Sequence, residues 1–129
     1  MQYMTIEWGR EFCKALNNNE TYGKLSATWE GDFVFICERE SGDKSYMYMD
    51  LWHGNCRGVE EVDENKEAEF KIEGTYETYV RIAKKELDPI RALMEGELML
   101  DGDMSKIMRA TKATLELVNT ITLVEGVEF

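Results

Sequence analysis

Histidine is almost missing from this chain: His53 is the only one in 129 residues. A catalytic imidazole, a Ser-His-Asp triad or an imidazole-ligated metal must therefore be built on His53 or not at all. No Gly-x-Gly-x-x-Gly, P-loop or Gly-x-Ser-x-Gly pattern occurs, so the sequence signals for nucleotide binding and serine-hydrolase chemistry are absent. Positive charge is short as well, with 15 Lys and Arg against 26 Asp and Glu and a formal net charge of -11. A field of that sign repels both a phosphate backbone and an anionic bilayer, which argues against nucleic acid as a partner. No apolar run approaches the ~20 residues of a membrane span, and Met1-Gln2-Tyr3-Met4-Thr5-Ile6-Glu7 has neither a basic start nor a long apolar stretch. No stable membrane insertion and a cytoplasmic location are expected. The three cysteines, Cys13, Cys37 and Cys56, are odd in number and form no close-spaced pair, and they read as reduced thiols. With one proline and 43% hydrophobic residues, the chain is expected to form one ordered domain over residues 1–129.

What is present is a sequence of clear period changes. Thr5 is placed to cap a helix in which Trp8, Phe12, Ala15 and Leu16 recur at helical spacing, before Asn17-Asn18-Asn19 supplies turn chemistry. From Ser26 the period becomes two: Leu25, Ala27 and Trp29 alternate with Ser26, Thr28 and Glu30. Gly31-Asp32 then predicts a tight turn into Phe33-Val34-Phe35-Ile36-Cys37-Glu38. After a second turn at residues 41–44, Tyr46 and Tyr48 share one face with Asp50, while Met47 and Met49 share the other with Leu51. His53-Gly54-Asn55 and Gly58 break the pattern. Residues 60–69 then set six acids against one lysine, which reads as a solvated loop or hairpin.

Phe70 and Ile72 mark a fourth strand, and Thr75 caps a helix whose stripe is Tyr76, Tyr79, Val80, Ala83 and Leu87. Asp88-Pro89 restarts a short helix with Ile90, Leu93 and Met94 on its apolar side, stopped by Gly96. Leu98-Met99-Leu100 predicts a short buried strand, and Gly102-Asp103 turns into a last helix carrying Ile107, Met108, Thr111, Leu115 and Val118. The order predicts an α+β fold: a five-stranded, mostly antiparallel sheet covered by helices on one face.

Few residues could carry chemistry. His53 and Cys56 have a His-x-x-Cys spacing, but two ligands do not make a zinc site. Asp50 and His53 could form a carboxylate-imidazole pair for a small isomerase-like enzyme, although three residues apart on a strand they point to opposite faces unless the chain bends. The chain is instead rich in soft side chains, with Met47, Met49, Met94, Met99, Met104 and Met108 spread over elements expected to face one another. Methionine adapts to irregular gaps and to ligands of variable shape, so this set suits the wall of an internal apolar cavity.

Several segments resemble the sterol carrier protein-2 family of lipid-binding domains. They are Trp29-Glu30-Gly31-Asp32 leading into Phe33-Val34-Phe35, then residues 68–74 leading into Tyr76 and Tyr79, then the run from Asp88-Pro89 through Gly96 to Gly102-Asp103. The last is the most specific, because it joins a proline-started helix, a glycine stop, a strand and a second glycine at fixed spacing. The resemblance implies a stand-alone, prokaryotic-like member that carries a fatty acyl chain, a sterol-like molecule or another lipid, with no cofactor and no catalytic residue. It implies a cavity wall drawn from Phe35, Ile72, Tyr79, Leu93, Met94, Met99, Ile107 and Met108. An apolar small molecule is then the partner, and a homodimer stays open. A regulatory or interaction module that keeps the fold without a ligand is the alternative.

Overall fold

The structure, a computed structural model, describes every residue from Met1 to Phe129. Thr5 accepts a hydrogen bond from the Trp8 N–H and starts α1 (Ile6–Asn17), and Asn19 caps a second helix, α2 (Glu20–Leu25). Three strands follow: β1 (Glu30–Glu38), β2 (Lys44–Trp52) and β3 (Asn55–Val62). After β4 (Phe70–Thr75), Thr75 caps α3 (Tyr76–Ala83), and Asp88 caps α4 (Pro89–Glu95) with the proline in its first turn. A three-residue strand, β5 (Met99–Asp101), leads into α5 (Met104–Met108) and α6 (Thr111–Ile121). The last helix expected from the sequence is therefore two, interrupted at Arg109 and Ala110.

The strands form one sheet in the order β3-β2-β1-β4-β5. Every pairing is antiparallel except that of β1 with β4, so the sheet is mixed. Along β2 the alternation holds as read: Met47, Met49 and Leu51 are buried, and Tyr46, Tyr48 and Asp50 lie on the other face. The inward side chains of β1, β2 and β4 join a single core with Trp8, Phe12 and Leu16 of α1, Tyr79 and Ile82 of α3, Leu93 of α4, Ile107 of α5 and Val118 of α6. All the helices that reach this core cover the same face of the sheet.

Two strands are displaced from their expected positions. Gly31 and Asp32 form no turn but sit inside β1, opposite Leu51 and Asp50. A Cβ on Gly31 would come within 2.8 Å of the Trp29 and Phe70 rings, so the glycine answers a close approach of side chains. Asp32 accepts from the Tyr48 hydroxyl and from the Glu69 N–H, both at 2.7 Å, and so ties β1 to β2 and to the segment entering β4. Burial pushes its carboxyl upward, but these hydrogen bonds outweigh that effect and hold it below its ordinary 3.8. Of the residues read as a strand before Gly31, Leu25 ends α2, Ser26 to Trp29 form the connection after it, and only Glu30 belongs to β1. Besides the turn between β1 and β2, His53-Gly54 makes a hairpin turn with φ of 46° and 85°, and the residues read as a break and an acidic loop supply edge strand β3. A bulge between Asp50 and Leu51 shifts the β2–β3 register.

The hairpin turn abuts the backbone of α2. A Cβ on Gly54 would lie 2.6 Å from the Gly23 carbonyl oxygen, in a left-handed conformation that already disfavours a side chain. Gly54→Ala is expected to lower unfolding free energy by about 2 kcal/mol in a denaturant titration. At Gly23 the nearest atom to an added Cβ is 3.9 Å away, so Gly23→Ala within α2 should raise stability by about 0.5 kcal/mol.

The reading of three free thiols is corrected. Cys13 of α1 and Cys56 of β3 are disulfide-bonded, with Cα atoms 5.5 Å apart across 43 residues of sequence, and only buried Cys37 is free. Spacing in sequence carried no sign of this pair, because it is created by α1 lying against the sheet edge. Asn17 reinforces the join: its amide donates to the Cys56 carbonyl at 2.9 Å and accepts from the Cys56 N–H at 2.7 Å.

Candidate functional site: an apolar pocket under the sheet

An apolar pocket of about 130 Å³ lies between the inner face of the sheet and its covering helices. Phe33 and Phe35 of β1, Met47 and Met49 of β2 and Ile72 of β4 form the sheet wall. Opposite them stand Trp8 and Phe12 of α1, Tyr79 and Ile82 of α3, Leu93 of α4, Ile107 of α5 and Leu117 and Val118 of α6. Of the 25 lining residues 22 are hydrophobic, and none is an acid, a base or His53. A wall of this chemistry offers no charged partner to an ionic group brought inside it.

The polar groups on the wall are turned to structural use. The Tyr79 hydroxyl shares its one proton between the carbonyls of Ile72 at 3.0 Å and Ile36 at 3.2 Å, locking α3 onto β1 and β4. The Tyr3 hydroxyl donates to the Tyr79 carbonyl at 3.1 Å. Burial is the main reason both phenols are held well above their ordinary range, so neither ionises at physiological pH. Burial likewise pushes the Cys37 thiol up, which makes it a poor nucleophile.

Of the residues that the sequence nominated, the structure brings Phe35, Ile72, Tyr79, Leu93 and Ile107 together on this wall. Met94, Met99 and Met108 stand outside it, 68%, 66% and 37% exposed. Their placement is corrected by simple geometry. Leu98, just before β5, and Leu100 within it turn toward the core, so Met99 between them must face away. In α4, Ile90, Ala92 and Leu93 take the buried side and leave Met94 in solvent, and α5 ends at Met108 with Ile107 turned inward. Trp8 and Phe12 were visible as the apolar stripe of the first helix, and Met47 and Met49 as the inner face of a strand. Their spacing was the signal that could have nominated them.

His53 does not line this pocket. Its ring stacks on Trp52 at 4.6 Å, its backbone N–H donates to the Trp29 carbonyl at 2.9 Å, and its Nε2 is 3.7 Å from Glu30 Oε2. Asp50 turns instead to Arg57 at 3.0 Å, so the carboxylate-imidazole pair of an isomerase is not assembled. No cluster of three or more His, Cys, Asp or Glu side chains is gathered for a metal ion. No helix is long and apolar enough to cross a membrane.

Comparison with known proteins agrees with this architecture. The model of the SCP-2 sterol transfer family matches residues 11–114. The structure superposes on a crystal structure of a sterol carrier protein 2 with a TM-score of 0.86 at 32% identity, covering 95% of this chain and 98% of the other. A Thermus thermophilus protein, described as a conserved hypothetical protein and possibly sterol carrier protein, gives 0.87 at 32% identity, covering 96% and 90%. The sterol carrier protein 2 of Yarrowia lipolytica in its apo form gives 0.62 at 15% identity with 87% of each chain covered, a likeness of fold. No curated protein matches the sequence. The fold is an open mixed sheet screened by helices, as in the sterol carrier protein structures it superposes on. The chain belongs to the SCP-2 sterol transfer family, and that membership implies lipid or sterol binding and transfer.

Proposed function

We propose that this protein binds and carries an apolar ligand, a fatty acyl chain, a sterol-like molecule or another lipid, without transforming it. The observation that carries this reading is the pocket wall, which offers apolar surface from every covering helix and no group able to act as acid, base or nucleophile. A volume of about 130 Å³ is close to that of cavities which take a benzene-sized guest, so a lipid chain enters only as the wall yields. The break between α5 and α6 suits that movement: Ala110 supplies no capping side chain there, and Ile107, Ala113 and Leu117 on either side of it all face the pocket. Each methylene transferred from water contributes about 0.8 kcal/mol, so ten of them give roughly 8 kcal/mol before ordering losses, consistent with micromolar binding at best.

Native mass spectrometry of protein purified from its source should show a retained apolar adduct. Titration with fluorescent fatty acids and a sterol analogue should then saturate at one ligand per chain. Failure of every chain length and of the sterol analogue to saturate would overturn the proposal and leave the interaction module.

A further inference from the structure

One buried polar atom of the pocket wall lacks a partner. The Nε1–H of Trp8 is shielded from solvent and donates no hydrogen bond, and no other buried side-chain nitrogen or oxygen on the wall is left in that state. Ser26 gives its hydroxyl proton to the Tyr22 carbonyl and Thr114 to that of Ala110, while Tyr3 and Tyr79 are paired as described. Trp8 is 3% exposed and cannot swing in search of an acceptor, because the Phe12 ring stacks on it at 4.9 Å and Tyr3 meets it edge-on at 4.8 Å. A donor buried without an acceptor is rare, because its lost hydration is offset by nothing, and such a group calls for an explanation in function.

We infer that the Trp8 indole N–H is a specificity-determining donor for a neutral oxygen of the ligand, a carbonyl, ester or hydroxyl, presented inside the pocket beside α1. The inference rests on the carrier function proposed above and narrows the class of molecule carried. Neutrality follows from the wall. With no lysine, arginine or histidine lining the pocket, a carboxylate led inward would surrender its hydration for a single N–H. A ketone or ester oxygen has far less hydration to lose, and one donor satisfies it. A fatty acid can still enter tail first, with its carboxylate left in solvent, but it then leaves Trp8 unpaired.

The test titrates three probes of matched chain length, tridecane, methyl undecyl ketone and tridecanoate, into the full chain carrying isotope-labelled tryptophan indoles. The ketone should bind about 5- to 10-fold more tightly than the alkane, the gain of one neutral hydrogen bond. The Trp8 indole proton resonance should move downfield with the ketone and not with the alkane. In Trp8→Phe, which keeps a ring and removes the donor, the ratio should fall to about 1 while tridecane still binds. If that variant does not fold, the wild-type resonance decides alone. Equal binding of ketone and alkane with an unmoved resonance overturns the inference but leaves the carrier function standing, and it is the result expected if the indole proton points into the Tyr3 ring. Tighter binding of tridecanoate than of the ketone, with the same downfield movement, overturns the neutrality. Absence of binding by all three overturns this inference and removes the acyl-chain form of the carrier function.

Discussion

Ile107→Lys should abolish saturable ligand binding and destabilise the protein by roughly 3 kcal/mol or more, whereas Met108→Lys, one position further on, should change neither measurably. Ile107 is 4% exposed and faces the pocket from α5, so a lysine there brings an ammonium into a space with no carboxylate to meet it. Its charge must be neutralised or its helix displaced. Met108 is more than a third exposed and ends the same helix, so a lysine there extends into water. Titration of a fluorescent fatty acid into both variants, with denaturant unfolding measured separately, distinguishes loss of the pocket from loss of the fold. Equal loss of binding in the two variants, with stability unchanged, would place the ligand on the surface beside α5 and not beneath the sheet.

Reduction of the Cys13–Cys56 bond should lower stability by about 3–4 kcal/mol. The bond closes a loop of 43 residues, and the chain-entropy estimate for such a loop is about 4 kcal/mol. The two hydrogen bonds between Asn17 and the Cys56 backbone survive reduction and hold the native geometry, so the effect falls mainly on the unfolded chain. Denaturant titrations with and without reductant should therefore show a lower midpoint and a steeper dependence in the reduced protein, because its unfolded state exposes more surface. A Cys13→Ala variant should match the reduced form and be indifferent to reductant. Identical midpoints for the oxidised and reduced wild type would show that the bond contributes nothing to stability.

Much of the helical framework was legible because caps act locally. Thr5, Thr75 and Asp88 each accept from a backbone N–H two or three residues ahead, and Gly96 closes α4 in the left-handed conformation, as their positions predicted. The strands were harder to place. Gly31-Asp32 has the composition of a turn, yet its role depends on Phe70 and Glu69, which are distant in sequence, and no local rule reports them. The five-stranded count agrees with the structure although its members are misplaced, since local pattern puts a strand where α2 and its turn form and a loop where β3 forms. The methionines illustrate a different limit. Softness and abundance suggested a wall, but direction decides membership, and alternation in β5 already pointed Met99 outward. Phe35, Ile72, Tyr79, Leu93 and Ile107 reach the pocket because each sits on the inward period of its own element.

The charge run from Glu60 to Glu69 gains a second meaning from where β3 lies. An exposed sheet edge offers free N–H and C=O groups to any extended chain, and two copies of a protein can join there into aggregates. Along β3 the side chains of Arg57, Glu60 and Glu61 are exposed, and the register shift opposite Asp50 and Leu51 twists this rim. At the other rim β5 is three residues long, too short to template a partner, and Asp101 and Asp103 flank its end. Like charges on neighbouring copies repel at the first rim, and brevity protects the second. The acidity of this rim thus disfavours pairing of β3 edge to edge with a second copy.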